Sequence, residues 1–493
     1  MRYYKISLIS ALLLGIAVIV LAQFSIPTLF DADGYYHIRL SEFIKQYGLR
    51  YDFHWARYSV FAKNFADKDL LYHLLTIPFT FLPNIFFGAK LAACLFAVFF
   101  YLVFFLVLKR YCLPALVAVF LVSLFSSPSF LHSLCRMRPM VFIIGLTLLY
   151  VHFLITKKQW GLFIVTFIYT LSHVSSPLLL LFAFLTETVR FINERQFAWR
   201  SILSVSLGLA AGFLAHPNFP NNLLIFYLNG ILVPMYALKW GLELGAEFFP
   251  ADTREFILGY PVIFLGLIFL LAQATSPGNR IKIATKIWLC IAGFFFVLSF
   301  FSRRYIIHSY PVILIAFASY ICDWWQSQER YAAMRQNKVL KIALAAAALL
   351  IFLLLGFNSY KRFHSTAISE MVYNRHYEIV GNWMKENIPA GETIFHANWS
   401  DSQYFIGLNP KNDYFVTMDP IFMYWWNPQK YKLYRDIAFG RTSDPYTLLK
   451  KEFDVRYGYA GKDYFSGLVN QIIADTRFEV LAQNNFGLVF RLK

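Results

Sequence analysis

Asp31-Ala32-Asp33-Gly34-Tyr35-Tyr36-His37-Ile38-Arg39 follows closely on a long apolar run, Ile6 to Phe24. It puts two carboxylates, a histidine and an arginine where a chain leaving a bilayer meets water. Charges at a membrane face are costly unless solvated or paired, so ionisable groups held there are candidates for function. The plainer reading of the same residues is a solvated acidic loop leading into a helix, with Asp33 as its cap. The rest of the chain bears on the choice.

Of the 493 residues, 58% are hydrophobic, 19% aromatic and only 15% charged, and the mean hydropathy is +0.51. This composition excludes an ordinary soluble domain and points to a polytopic membrane protein. The net charge of +17 comes from Lys and Arg scattered through connections between apolar runs. That pattern fits membrane topology and argues against a nucleic-acid partner. Five cysteines, Cys94, Cys112, Cys135, Cys290 and Cys322, lie in or beside apolar segments and form no CxxC pair or disulfide framework. The first run, ending Val20-Leu21-Ala22, has the outline of a signal peptide, but the spans that follow favour a retained helix.

Apolar runs of helix length predict about eleven spans. They are 6–24, 86–108, 113–127, 139–155, 161–172, 176–189, 201–216, 257–272, 285–301, 306–322 and 341–357. The pair around Ser172-His173-Val174-Ser175-Ser176-Pro177 also reads as one broken helix or a re-entrant pair. With the N-terminus cytoplasmic, the inner connections carry Arg2 and Lys5, Lys109 and Arg110, and Lys157 and Lys158. The later ones carry Arg190, Arg195 and Arg200, then Arg280, Lys282 and Lys286, then Arg330, Arg335, Lys338 and Lys341. Every inner connection is basic, as the positive-inside rule requires. Residues 1–357 therefore read as a transmembrane domain with long outer loops at 25–85 and 217–256. Residues 358–493 fall outside, so the expected location is an inner (cell) membrane with an extracytoplasmic C-terminal domain.

Within the first outer loop, Ala66 to Pro78 reads as a helix in the membrane interface, with Leu70, Leu71, Leu74 and Leu75 on one face. The second outer loop starts His216-Pro217-Asn218-Phe219-Pro220, runs apolar to Trp240, and carries Glu243 and Glu247. In the tail, β-rich runs at Thr393–His396, Tyr414–Met418, Val455–Tyr459, Phe478–Ala482 and Phe486–Leu492 alternate with helical patterns at Met371–Asn387 and Tyr464–Thr476. This alternation predicts a small α/β domain. Asn484-Asn485 predicts a hairpin turn.

The outward side then collects Asp31, Asp33, His37 and Arg39, next Arg136 and Arg138 in a short turn Pro128–Pro139, next Glu243 and Glu247, and last Arg303, Arg304 and His308. Arginines placed against the positive-inside bias suit a phosphate, whose oxygens a guanidinium fork matches; the alternative is anchoring to lipid headgroups or helix ends. His173 and His216 end helices on the same side as further phosphate contacts or as caps. A carboxylate facing a lipid-borne phosphate suggests a division of labour, in which the carboxylate takes a proton from an attacking hydroxyl while the arginines stabilise the departing phosphate. That is glycosyl transfer from a polyprenyl-phosphate-linked sugar to a glycan, lipid or protein acceptor. In a metal-assisted variant, Asp33 and a distant glutamate such as Glu247 hold Mg²⁺ or Mn²⁺; a metal-independent reaction is the alternative.

Asp33-Gly34-Tyr35-Tyr36-His37-Ile38-Arg39, directly after a first apolar helix, resembles the first external loop of oligosaccharyltransferase catalytic subunits and, more broadly, of the GT-C superfamily of membrane glycosyltransferases. The layout of the chain is also similar: a long first loop, many spans, a second large outer loop and an extracytoplasmic C-terminal domain. The resemblance implies that Asp33 is the catalytic or metal-binding aspartate, with Asp31 beside it. It also implies that Glu243 or Glu247 matches the family's later-loop glutamate, whose bland reading is a solvated helix face.

The sequence departs from the family in two places. Ser126–Pro139 has no Asp or Glu where a second acidic motif belongs, and Arg136-Met137-Arg138-Pro139 stands there instead. In the tail, Asn398-Trp399-Ser400-Asp401-Ser402-Gln403-Tyr404 resembles the acceptor-recognising Trp-Trp-Asp-Tyr-Gly motif but keeps one Trp and the Asp; otherwise Asp401 is a helix cap. Asp419-Pro420 with Tyr424-Trp425-Trp426 offers an aromatic wall for a sugar or a seat on the membrane. Besides glycosyl transfer from a monophosphate donor, a true oligosaccharyltransferase using a diphosphate-linked glycan and a lipid-linked glycan transporter or flippase stay open.

Overall fold

The computed structural model describes residues 2–50, 52–237, 239–273, 280–328 and 337–493, with the side chains of residues 2–7, 338, 341 and 345 left aside. Of the basic inner positions, Arg330 and Arg335 lie outside the described residues, as do the side chains of Arg2, Lys5, Lys338 and Lys341. The chain divides into two compact units. One comprises Met1–Ile26, Lys90–Phe213 and Gly245–Ile368, and the other Pro27–Ala89, Leu214–Leu244 and Ser369–Lys493.

All of the predicted apolar runs are helical, and prolines set several of their starts. Pro114, Pro128, Pro139 and Pro261 each open a helix, where a missing N–H costs nothing. Two of these prolines, Pro128 and Pro261, also stand at sharp breaks. The segment Pro114–Ser126 meets Pro128–Cys135 at 83°, and Thr253–Gly259 meets Pro261–Gln273 at 85°. The expected short turn at Pro128–Pro139 is thus a helix, Pro128–Cys135, capped by the Ser127 side chain, which accepts from Phe130 N. The expected helix pair around Ser172–Pro177 is two helices, Gln159–Thr170 and Leu178–Glu194, separated by a turn.

Four helices are long and apolar enough to cross a membrane: Ile85–Tyr111, Pro139–Thr156, Arg304–Ser327 and Ile342–Asn387. Counting each bent pair as one span gives up to six among the described residues. They mark an integral membrane protein. Helix length does not establish about eleven crossings, because other runs, such as Gln159–Thr170, Trp199–Leu214 and Ile283–Ser299, are under 18 residues. At ~1.5 Å per residue such helices fall short of a ~30 Å hydrocarbon core.

The second unit holds a five-stranded sheet of order β2-β1-β3-β5-β4, formed by β1 (Thr393–His396), β2 (Asp413–Tyr414), β3 (Tyr457–Gly461), β4 (Phe478–Gln483) and β5 (Gly487–Leu492). β1 pairs in parallel with β2 and β3, whereas β5 is antiparallel to β3 and β4. The predicted strands are in place, except that the second ends after Tyr414 instead of running to Met418. The Asn484 turn joins β4 to β5, its side-chain oxygen accepting from Phe486 N and Gly487 N. Trp55 O accepts from Tyr414 N at 2.7 Å, which ties the first outer loop to the sheet's β2 edge.

Candidate functional site

In the second unit, the Asp33 motif begins a helix, Asp33–Tyr47, whose face from Gly34 to Ile38 is buried. Asp31, not Asp33, does the capping: its Oδ1 accepts from Gly34 N at 3.3 Å, and its φ of 77° is the left-handed bend that brings the carboxylate over the helix start. Asp33 is the first helical residue and half-buried.

Two further carboxylates, Asp67 and Asp69, come from the turn before the helix Leu70–Thr76. Burial and the negative fields of Asp67, Asp69 and Asp33 push the Tyr36 phenol up. Burial with Asp69 and Asp31 does the same to Tyr72. Four carboxylates thus surround two buried tyrosines. Asp67 and Asp69 were not anticipated; an Asp-Lys-Asp triplet beside apolar residues was the available signal.

Asp67 anchors a buried chain of imidazoles. Its Oδ2 lies 2.6 Å from His73 Nδ1, and His73 Nε2 lies 2.7 Å from His37 Nδ1, with all three residues at most 5% exposed. Burial works against the Asp67 charge, but His73 outweighs it and holds the carboxyl below its usual range. An ionised Asp67 accepts the His73 Nδ1–H, which leaves His73 Nε2 to accept from His37 Nδ1–H in the neutral state. The Asp67 carbonyl accepts from His216 Nε2 at 2.9 Å, so His216 pins this turn. Burial pushes the Asp69 carboxyl up against the opposing pull of Lys68. The inward face of the Leu70–Thr76 helix is therefore Leu70, Tyr72, His73 and Thr76, while Leu75 is exposed, which corrects the predicted leucine face.

Several predicted contacts serve structure. Arg39 is committed to Gly407 O, which accepts from its Nε at 2.9 Å and its Nη2 at 2.7 Å, and pairs with Glu42. Gly407 is there because the helices touch: a Cβ would lie 2.5 Å from Tyr35 Cβ. Glu243 pairs with Arg435 at 2.6 Å. Asp401 is not a helix cap. It is 2% exposed and accepts from Tyr377 OH at 2.7 Å, and burial pushes its carboxyl up to about 7. Trp399 is half-buried two residues before it, its carbonyl accepting from Ser402 Oγ. Asp419 is buried and accepts from Ile421 N at 2.9 Å. Beside it Tyr424 stacks on Trp240 and Trp240 on Tyr236, at 5.3 and 5.4 Å, while Trp425 and Trp426 are exposed.

In the first unit, Arg136-Met137-Arg138 forms a tight turn in which Arg136 O accepts from Arg138 N at 2.9 Å, with Met137 buried. Arg138 is the N-cap of Pro139–Thr156, and Arg303 and Arg304 begin Arg304–Ser327. Cations at helix N-termini oppose the helix dipole, so anions must favour them there. Glu247 is such an anion, 3.1 Å from Arg138 Nη1 and 3.9 Å from Arg304 Nη1. Burial pushes its carboxyl up, but Arg138, Arg304 and Arg136 outweigh burial and hold it down at about 2. Arg303 faces Glu255 at 3.9 Å. Two backbone contacts pin the Glu247 loop: Ser302 Oγ donates to Glu247 O at 2.7 Å and Arg303 N to Phe249 O at 2.9 Å. His308 is buried and stacks on Phe295 at 5.9 Å. His173 Nδ1 bonds Ser175 Oγ in its own turn.

Among the described residues no three His, Cys, Asp or Glu side chains form a group able to hold a metal ion. Glu247 in particular lies among guanidiniums, which repel a cation.

The fold is that of the GT-C membrane glycosyltransferases. The Archaeoglobus fulgidus oligosaccharyltransferase in its apo form superposes with a TM-score of 0.63 at 14% identity, over 92% of this chain and 69% of that one. ArnT from Cupriavidus metallidurans bound to undecaprenyl phosphate gives 0.60 at 15% identity, over 97% of both chains. Arabinofuranosyltransferase AftD from Mycobacteria gives 0.52 at 11%, over 99% of this chain and 41% of that one. No family model matches the chain, and no curated protein matches it in sequence.

Proposed function

We propose that this chain is a membrane glycosyltransferase that moves a sugar from a polyprenyl-phosphate-linked donor to an acceptor on the extracytoplasmic face. The observation that carries the reading is the convergence of Arg136, Arg138 and Arg304 on one anion, Glu247, at the starts of two helices. Guanidinium forks and helix N-termini both favour phosphate oxygens. Support comes from the fold, one of whose solved members is bound to undecaprenyl phosphate and another of which is in complex with a dolichol-phosphate.

In this reading Asp33, half-buried at a helix start, takes the proton from the acceptor hydroxyl as it attacks the sugar carbon. Asp31 holds the helix start in place, and the arginines stabilise the polyprenyl phosphate that leaves. The extracytoplasmic side is argued from the basic inner connections. A monophosphate donor is preferred over the oligosaccharyltransferase reaction because Asp401, in the stretch most like an acceptor motif, is bonded to Tyr377 in the interior. The direct test is turnover of a panel of polyprenyl-phosphate sugars by purified protein in lipid, with and without EDTA, beside Asp33→Asn. Sugar release by wild type that survives EDTA and is lost in the variant is the expected result. Release from no monophosphate donor would overturn the assignment and direct the work to diphosphate-linked glycans or transport.

A further inference from the structure

Glu247 sits where an incoming phosphate belongs. Its carboxylate accepts from Arg138 at 3.1 Å, while Arg304 stands at 3.9 Å and Arg136 adds its field. A third of the side chain is exposed, so water screens these attractions. The loop itself is fixed by Ser302 and Arg303, so only the side-chain torsions of Glu247 need turn for the carboxylate to leave. Arg304 is already positioned, its guanidinium 5.2 Å from the Phe248 ring. The donor's phosphodiester has two unesterified oxygens, and the polyprenyl monophosphate left after transfer has three, to share among arginines that a single carboxylate bridges poorly, and either meets the same two helix starts.

We propose that the Glu247 carboxylate holds the donor-phosphate position among Arg136, Arg138 and Arg304 and yields it when the phosphate binds. This rests on the reading of the arginines as the donor-phosphate site. The occupant keeps like charges from repelling one another in the empty site and sets a threshold: an anion must outcompete a tethered carboxylate to enter. Anions that reach only one arginine do so poorly, whereas a phosphate group that reaches two or three does so well. No bond is made or broken; one ion pair exchanges for another.

The test is binding of a polyprenyl monophosphate, and separately of inorganic phosphate, to the purified full chain in zwitterionic lipid nanodiscs. Wild type is compared with Glu247→Gln, Glu247→Asp and Arg138→Gln. Removing the competing charge tightens polyprenyl phosphate binding about fivefold in Glu247→Gln, the scale of a partly exposed ion pair. Glu247→Asp, which keeps the charge on a shorter arm, falls between wild type and Glu247→Gln and guards against a Gln variant that fails to fold. Arg138→Gln weakens binding. If inorganic phosphate follows the same order, the exchange is with phosphate itself; if only the polyprenyl form does, the lipid chain is needed for entry, and either result supports the exchange. Binding unchanged or weaker in Glu247→Gln, with Arg138→Gln still weak, would overturn the displacement and leave the phosphate site standing. Equal binding by wild type and Arg138→Gln would remove the phosphate site and the displacement together.

Discussion

The Asp67–His73–His37 chain and the Glu247 arginine cluster are both charged networks, yet they are built in opposite ways. The first is sealed: its members are at most 5% exposed and its bonds are 2.6 and 2.7 Å. The second is open: Glu247 and its arginine partners are 24–33% exposed, at 3.1 and 3.9 Å. Burial strengthens each bond of the first and makes any broken one expensive. Exposure makes the second weak, screenable and exchangeable. A sealed network suits holding a helix start in one place, and an open one suits receiving an anion.

The sharpest way to break this contrast is at Asp33, beside the sealed chain. Asp33→Asn lowers turnover about 10³-fold, within the range for a lost general base, with donor binding unchanged; a rate within a few-fold of wild type would move the chemistry elsewhere. Next is the chain itself. Asp67→Asn leaves His73 without its carboxylate and costs about 3 kcal/mol of stability, seen as a lowered midpoint of thermal unfolding in detergent. Because its folded pKa is depressed, the contribution of Asp67 is present above the ordinary value of 3.8 and is lost as pH falls through the folded value.

Asp401 has the opposite sign. Its folded pKa of about 7 lies above the ordinary 3.8, so the folded state holds the proton more tightly, and stability declines as pH rises between those values. Asp401→Asn removes that decline, which unfolding midpoints at pH 4, 5, 6 and 7 would show. The smallest effect is at the open cluster. Arg138→Gln weakens polyprenyl phosphate binding about tenfold at low salt, and the difference from wild type shrinks as ionic strength rises. A difference that salt leaves untouched would mean the cluster is sealed like the other network.

Several of these residues were legible in advance, and the reason others were not is physical. Asp31 and Asp33 stood out because carboxylates directly after an apolar helix are unusual, and Arg136, Arg138, Arg303 and Arg304 because they oppose the charge bias of the loops. Asp67 and His73 did not, since a short polar turn before a leucine-bearing helix looks like any amphipathic segment. Their meaning comes from His37, on another helix, turning a ring nitrogen toward His73. Asp401 misled for the same reason: the residues around it have the form of a helix cap, and only the packing of Tyr377 against it shows a buried carboxyl.

The sequence by itself determined that the chain is helical and belongs in a bilayer, because apolar length and helix-opening prolines act locally and need no partner. It also determined four of the five strands of the C-terminal sheet to within two residues, through apolar β-rich runs and the Asn484 turn. Tertiary structure alone decided that residues 27–89 and 214–244 fold with 369–493, that Asp67 faces His73 and that Glu247 is held among arginines. Those outcomes depend on charges distant in sequence finding each other in places where water no longer separates them.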